Sequence, residues 1–451
     1  MGALELWDAL ARELMLFAAV GLLIGGIDDL AMDLLYWSDR LLRPRRRLTI
    51  ATLPPVAPMR FAVFVPAWDE AAVIGPMLRT ALDRFAAADC RIYVGVYPND
   101  WETQVAVAAV DDDRIRIVLS ARAGPTTKAD NLNSLWHGLE QDGWTADAIV
   151  IHDAEDVVHR DELTVFGALL GDHDVVQLPV LPIVARGSRL LSGHYADEFA
   201  ESHAKSMVVR TALGAGMPLA GTGCAIRTHV LGEVAQQRGG VPFDADSLVE
   251  DYELGLKLAG QGGRGCFARV REHEGGAVVA VRALFPGELK AAVWQKARWM
   301  TGIALAGWDR TGWARPAHLS DHWMRLRDRR APLAMLVLAV AYLAMLAWGS
   351  GAVAHWTFAV PAPALSSTMA GLLAVNGAVL FWRLGMRMLF TGRAYGWREA
   401  LWSLPRFVVG NAVALLAAPR ALLLYTRMLR GGPPTWDKTA HIFPDMTATQ
   451  R

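Results

Sequence analysis

Cysteine is scarce in this chain of 451 residues, and its few positions carry no recognisable pattern. Cys90, Cys224 and Cys266 lie far apart along the sequence. The spacing excludes a zinc-ligand motif and a disulfide framework, so we interpret each cysteine as a free or buried thiol. Reduced thiols suit a domain that faces the cytosol.

A net charge is also absent, because 45 Lys and Arg residues balance 45 Asp and Glu residues. Without a basic excess, no overall electrostatic field favours nucleic acid, and we expect no nucleic-acid partner. Apolar residues, by contrast, are abundant. They make up 53% of the chain, the mean hydropathy is +0.23, and there are 17 tryptophans. This composition favours a protein that contacts the lipid bilayer.

Three segments predict membrane-spanning helices. The first is centred on Leu14–Ile27 and needs the helical patterns on either side of it, because 14 residues fall short of the ~20 that a span requires. Two more are predicted near 331–348 and 364–382. Arginines in Arg43–Arg47, Arg325–Arg330 and Arg383–Arg398 mark the cytoplasmic side of each span.

A fourth apolar segment, residues 403–425, contains Arg406 and Arg420. We predict that it is interfacial or re-entrant, with a fourth span as the alternative. The predicted organisation is therefore an N-terminal helix with its basic flank (1–47), a cytoplasmic domain (48–310) and a C-terminal membrane region with a cytoplasmic tail (311–451).

The first half of the cytoplasmic domain alternates apolar runs with helical patterns. Strands are predicted over 61–66, 91–97, 114–119 and 148–152, with helices over 71–87, 102–110 and 128–141 between them. Such alternation indicates an α/β fold with a parallel sheet and helices on both faces. Residues 61–152 contain neither a dinucleotide glycine fingerprint nor a P-loop lysine motif, so a nucleotide must be held in another way.

Acidic residues follow three of these strands. Glu70 follows the first strand, Asp100 the second, and Asp153 and Glu155 the fourth. Ligands of open α/β sheets bind at the carboxyl ends of the strands, so these acids predict a site for a nucleotide and a divalent cation. Taken alone, Asp153 and Glu155 fit equally a solvated turn that caps the next helix.

Lys128 and the pair Glu250 and Asp251 each begin a predicted helix. A lysine is unfavourable at a helix N-terminus unless an anion lies nearby, which makes Lys128 a candidate phosphate contact; the alternative is an exposed lysine. A carboxylate at a helix start can act as a general base for an acceptor hydroxyl or serve only as a cap.

Gln295, Arg298 and Trp299 share one face of a predicted helix. Arginine offers a forked set of donors to a diphosphate, and tryptophan offers a stacking plane to a sugar. The other interpretation is an amphipathic helix at the membrane surface.

Together and in this order, the segments resemble a membrane-bound family 2 glycosyltransferase with a GT-A (Rossmann-like) fold. Pro66–Glu70 resembles the family's nucleotide-binding segment, and Lys128–Asn133 its lysine element. Asp153-Ala154-Glu155 resembles its metal motif, with Glu155 where aspartate is usual. Glu250-Asp251 and Gln295–Trp299 resemble the elements that carry the base and the Gln-x-x-Arg-Trp signature.

The resemblance implies inverting sugar transfer from a nucleotide-diphosphate sugar, which we expect to be a UDP-sugar. Glu70, Asp100 and Lys128 would hold the nucleoside and phosphates, and Asp153 and Glu155 would bind Mg2+ or Mn2+. Asp251, beside Glu250, would deprotonate the acceptor. Gln295 and Arg298 would hold the diphosphate, and Trp299 would face the acceptor.

The flanking segments are similar to the bacterial phage-adsorption protein B group of inner-membrane glycosyltransferases, which are linked to surface glycan secretion. The similarity rests on 27–30, 97–100, 153–156 and 436–441. It implies a growing surface or secreted polysaccharide as acceptor and a secretion partner in the periplasm or outer membrane. The alternatives are a lipid-linked monosaccharide synthase and an inactive membrane scaffold or receptor.

Overall fold

The computed structural model describes residues 2–42, 48–55, 58–432 and 443–444. Its centre is a seven-stranded sheet in the order β3-β2-β1-β4-β7-β5-β8, beside a two-stranded sheet of β6 and β9. The strands are β1 Phe61–Pro66, β2 Cys90–Val96, β3 Ile115–Leu119, β4 Ala148–Ile151, β5 Val175–Gln177, β6 Val180–Ile183, β7 Cys224–Arg227, β8 Gly265–Phe267 and β9 Val281–Leu284.

The first four strands are parallel, as the alternation predicts, with β1 between β2 and β4. The near-continuous apolar sequences of β1 and β4 reflect their burial on both faces of the sheet. The second half of the domain adds β7, which runs antiparallel to both β4 and β5. The complete sheet is therefore mixed rather than purely parallel.

Helices cover both faces of the sheet, and each face has its own apolar core. The shorter α-helices are α2 Ala71–Arg84, α3 Trp101–Ala108, α4 Lys128–Asp142, α5 Glu162–Leu169, α6 Leu191–Glu201, α7 Met207–Ala212, α8 Thr228–Gln237, α9 Glu250–Gly260, α10 Leu289–Trp299, α11 Ala306–Thr311 and α12 Leu319–Arg329. The helices predicted over 71–87, 102–110 and 128–141 are confirmed as α2, α3 and α4.

Four long helices complete the chain: α1 Ala3–Leu42, α13 Ala331–Thr357, α14 Ser367–Tyr395 and α15 Trp397–Leu429. Within the described residues, these four are long and apolar enough to cross a membrane. The predicted extension of the first span is present, because α1 has 40 residues. The arginines of Arg43–Arg47 and the tail segment 436–441 lie outside the described residues.

The segment predicted as interfacial or re-entrant lies in α15, a continuous helix of 33 residues that contains Pro405 and Pro419. The helix makes no turn of the kind a re-entrant hairpin needs. It packs along α14 and also along α6 and α10, two of the shorter helices. An interfacial helix fits this placement, and the length and apolar composition of α15 fit the alternative, a fourth span. We retain both, with the bounds of the three domains, as proposals.

An ionic cluster joins three of the long helices to α12. Asp29 of α1 accepts from Arg330 at 2.6 Å and from Arg327 at 3.0 Å, and it also pairs with Arg383 of α14. The neighbouring Asp28 pairs with Arg327 and Arg330. These ion pairs therefore hold three helical segments at one level: the carboxyl-terminal half of α1, the start of α13 and the middle of α14.

Candidate active site

The metal motif follows β4 directly and lies at the carboxyl end of the parallel strands. The backbone amide of His152 donates to the carbonyl of Phe64 on β1, which extends the strand pairing to the residue before Asp153. Asp153 and Glu155 then both line a cavity of about 460 Å³. The prediction that a buried strand delivers these two carboxylates to the sheet edge matches this placement.

Lys128 is the first residue of α4, and its side chain reaches across to the metal motif. Its Nζ pairs with Oδ1 of Asp153 and donates to the carbonyl of Gly221 at 2.9 Å. Burial alone would lower the pKa of Lys128, but Asp153, Glu250 and Asp251 outweigh it and raise that pKa above its ordinary value. The interpretation of Lys128 as an exposed lysine is wrong, because nearby carboxylates bind it inside the cavity.

Glu250 and Asp251 lie in the first turn of α9 and face the same cavity. Burial, and next the charge of Asp251, raise the pKa of Glu250 to about 7. Burial also raises the pKa of Asp251, against the opposing charge of Lys128. A raised pKa brings a carboxylate closer to the basicity that a general base needs near neutral pH.

Gly221 lies between these charged groups, and its backbone explains why glycine is required. Its φ is +76°, a left-handed conformation that residues with a Cβ rarely adopt. A Cβ at this position would lie 2.5 Å from Oδ2 of Asp251 and 3.3 Å from Nζ of Lys128. The absence of a side chain at Gly221 therefore lets the backbone lie close to both charged groups.

Helix α10 supplies the opposite wall through Gln295, Arg298 and Trp299. Within the described residues, Arg298 forms no ion pair, and the buried Oε1 of Gln295 has no hydrogen-bond partner. The Trp299 ring belongs to an aromatic cluster with Tyr195, 6.0 Å away between ring centroids, and Phe199, at 6.2 Å. A π-helical turn, Met300–Leu305, follows directly, a distortion that is frequent at functional sites.

Eight of the ten predicted site residues thus share one cavity: Lys128, Asp153, Glu155, Glu250, Asp251, Gln295, Arg298 and Trp299. Glu70 and Asp100 are not among its lining residues. Asp100 accepts from the Asp69 amide at 2.5 Å and caps α3 through the Thr103 amide at 3.3 Å. Its carboxylate therefore joins the loops after β1 and β2, next to Glu70, whose own amide donates to the Thr103 hydroxyl at 2.9 Å.

A buried polar network beneath the metal motif was not found from the sequence. His152 lies between Asp156, at 3.1 Å, and Glu162, at 2.6 Å. Burial alone would lower the pKa of His152, but Glu162 and Asp156 outweigh it and raise that pKa to about 10. The hydroxyl of Thr222 also donates to Asp156. Of the residues in this network, the sequence indicates only Asp156, which is the last acid of the cluster at 153–156.

His159, Asp161 and Glu272 form a second group of side chains of the metal-ligand type. Nδ1 of His159 accepts from the Asp161 amide at 3.2 Å, which leaves the proton on Nε2, 3.2 Å from Glu272. Each ring nitrogen is therefore already satisfied, and we assign this group to local structure.

Comparison with known proteins agrees with this geometry. A family model described as glycosyltransferase-like family 2 matches residues 58–302. The chain belongs to glycosyltransferase family 2. The match covers the sheet and the whole cavity, through Trp299, so the protein is a glycosyltransferase with a GT-A-like fold.

Two curated relatives extend the likeness into the membrane helices. Bacteriophage adsorption protein B of Escherichia coli K12 and bacteriophage N4 adsorption protein B of Escherichia coli O157:H7 are each 33% identical over 472 residues. The alignment covers 96% of this chain and 62% of each relative, so the chain spans less than two thirds of their length.

A solved structure shares the fold. The mannosyltransferase of Pyrobaculum calidifontis, in complex with GDP-Man and Mn2+, has a TM-score of 0.53 and 20% identity over 88% of this chain and 99% of its own. At this identity the likeness shows the fold alone.

Proposed function

We propose that the enzyme transfers a sugar, with inversion, from a nucleotide-diphosphate sugar, expected to be UDP-linked, to a surface or secreted polysaccharide. The observation that carries this proposal is that Asp251 and Lys128 meet at Gly221, where Lys128 also pairs with Asp153, in the cavity that Arg298 lines. The site combines a base with cationic groups for a diphosphate and carboxylates for a cation, which are the parts that such a transfer needs.

The carboxylates fit Mg2+ or Mn2+. Both ions prefer oxygen ligands, and Asp153 and Glu155 supply them on one cavity wall. The cavity of about 460 Å³ that both carboxylates line has room for diphosphate oxygens. When bound, the cation would stabilise the negative charge that develops on the departing diphosphate.

The chain's own residues would divide the remaining tasks. Asp251 would accept the proton of the acceptor hydroxyl as the hydroxyl oxygen attacks the anomeric carbon of the donor sugar. The neighbouring Glu250 would influence the charge of Asp251. Lys128, Arg298 and Gln295 would hold the diphosphate, since all three line the cavity and the guanidinium group of Arg298 offers a forked set of donors. Glu70 and Asp100 would support the nucleoside from the adjoining loops, and Trp299 would face the acceptor.

We propose that the cavity opens at the cytoplasmic face of the bacterial inner membrane. The cytoplasmic domain lies between α1 and α13, and the arginines of 325–330 and 383–393 lie at the ends of the spans that meet it. Basic flanks of this kind are retained on the cytoplasmic side. The matched relatives are named for bacteriophage adsorption, and a surface glycan is a product through which such an enzyme can affect a phage. A secretion partner would carry this glycan out of the cell.

The test is release of nucleoside diphosphate by the purified full chain in detergent, with a panel of nucleotide sugars and with Mn2+, Mg2+ or EDTA. We expect release with one donor, dependence on the cation, and a polysaccharide on mass analysis of the product. A single sugar on a lipid would establish the lipid-linked synthase instead. Cation-dependent UDP binding without turnover of any donor would support the scaffold alternative and contradict our proposal.

A further inference from the structure

Four buried polar residues connect the two loops that form the floor of the cavity. His152 and Glu162 have no exposed surface, Asp156 is 1% exposed and Thr222 is 5% exposed. Such groups are costly to bury unless their hydrogen bonds are satisfied, so their presence under the metal motif calls for a role.

Asp156 is the centre of this group. One of its oxygens, Oδ2, accepts from three donors: the backbone amide of Asp153 at 2.8 Å, Nδ1 of His152 at 3.1 Å, and the hydroxyl of Thr222. The first bond fixes the backbone that carries the Asp153 carboxylate. The last bond reaches a different loop, the Gly221–Gly223 turn before β7.

The Gly221–Gly223 turn is itself in contact with the reacting groups. The Gly221 carbonyl accepts from Lys128, and Oδ2 of Asp251 lies against its Cα. The side chain of Gln177 also holds this turn, because it donates to the Thr222 carbonyl at 2.8 Å and accepts from the Ala220 amide at 2.9 Å. The Thr222–Asp156 bond thus links the turn directly to the metal motif, beneath the bridge that Lys128 makes between Asp153 and the Gly221 carbonyl.

Glu162 anchors the other end. Its Oε1 pairs with Nε2 of His152, and its Oε2 accepts from the His159 amide at 3.1 Å. The imidazole is therefore held at both nitrogens and cannot rotate without breaking a bond. The network has a rigid base on α5 and ends at the two loops of the site.

We propose that His152, Asp156, Glu162 and Thr222 are positioning residues that set the distance between the Asp153 carboxylate and the Gly221 turn. This inference rests on the proposed function, since it assigns the network to the cation and diphosphate site. Partners that orient metal ligands are worth about tenfold or more in metal affinity or activity.

Thr222→Val tests the proposal, because valine keeps the shape of threonine and removes only the donor to Asp156. Two controls are matched to it. Thr222→Ser keeps the hydroxyl, and Thr228→Val makes the same change at the far end of β7, where Oγ1 has no hydrogen-bond partner among the described residues.

The readouts are Mn2+ binding in the presence of UDP, followed by the electron paramagnetic resonance of free Mn2+, then kcat, KM and thermal unfolding. We expect Thr222→Val to weaken Mn2+ binding and lower kcat about tenfold, with little change in Tm. Thr222→Ser should restore both values, and Thr228→Val should leave them at those of the wild type.

Unchanged Mn2+ binding and kcat in Thr222→Val would overturn the proposal. If that variant does not fold, Glu162→Gln replaces it, and the same readouts apply. Glu162 lies outside the cavity, and the loss of its charge removes the ion pair that holds His152. A wild-type enzyme that binds no Mn2+ with UDP would instead contradict the proposed function, so the two failures are distinguishable.

Discussion

The ammonium group of Lys128 forms an ion pair with Asp153, the residue that we propose as a metal ligand. A lysine in this position neutralises the carboxylate that would otherwise attract the cation. The same ammonium group would turn to the diphosphate when the donor is present. Under this proposal, Lys128 would oppose binding of the cation alone and favour binding of the donor.

Replacing Lys128 should separate these two effects. In Lys128→Gln, we expect Mn2+ to bind several-fold more tightly without nucleotide, because the competing charge is gone. We expect KM for the donor to rise about tenfold to a hundredfold, since a hydrogen bond to a charged group contributes roughly 1.5–3 kcal/mol. Calorimetric titration with Mn2+, with and without UDP, measures both changes. Weaker Mn2+ binding in both titrations would show that Lys128 supports the cation site directly.

Asp251 provides the test of the base. Asp251→Asn keeps the size of the side chain but cannot accept the acceptor proton, so kcat should fall by about 10²–10⁴. Donor binding, followed by UDP titration, should change little. Asp246→Asn is the control, because Asp246 is an exposed acid just before α9. Full transfer activity in Asp251→Asn would eliminate this residue as the base.

Glu250 should make both activity and stability depend on pH. Its pKa of about 7 lies above its value of about 4.5 in the unfolded chain. The folded state therefore holds the Glu250 proton more tightly than the unfolded chain does. The stability that this proton contributes is fully present below pH 4.5 and is lost as pH rises through 7. The loss is about 3 kcal/mol at 1.36 kcal/mol per unit of pKa shift.

Glu250→Gln should remove that dependence. We expect a higher Tm than the wild type at pH 8 and a similar Tm at pH 4.5, because glutamine stays neutral throughout. The activity of the wild type should fall as pH drops through about 7, and the midpoint of this fall should shift in Glu250→Gln. Thermal unfolding and initial rates across pH 4.5–8.5 give both results. Equal Tm values at pH 8 would refute the raised pKa.

Signals that are local in sequence predict the first half of the sheet well. The apolar runs at β1, β2 and β4 specify buried strands, and the acids that follow them must lie at the same sheet edge. The roles of Glu70 and Asp100 show the limit of this argument. Position after a strand does not show whether a carboxylate faces a cavity or, like Asp100, is taken by backbone amides.

Contacts between distant segments could not be predicted. Gly221 meets Lys128 and Asp251 only because β7 pairs antiparallel with β4, and no local pattern near Cys224 indicates that pairing. The bond between His152 and Glu162 likewise depends on how α5 packs under the sheet. Asp28 and Asp29 have a sequence signal, as acids at the end of an apolar run, but their arginine partners lie some 300 residues away.

The cluster at Asp29 should control how the long helices hold the cytoplasmic domain. Asp29→Asn leaves Arg327, Arg330 and Arg383 with one fewer carboxylate, and only the pair with Arg327 is largely buried on both sides. Loss of one partner of a buried ion pair costs about 3–5 kcal/mol, while the partly exposed pairs contribute less, so we expect a drop in Tm in detergent and faster proteolysis between α12 and α13.

Asp39→Asn is the matched control, since Asp39 lies on the same helix and forms no ion pair with the described residues. It should behave as the wild type. Asp28 remains in Asp29→Asn and still pairs with two of the three arginines, so a double variant of Asp28 and Asp29 should be less stable than either single variant. If Asp29→Asn unfolds at the wild-type temperature, the cluster does not hold the helices together.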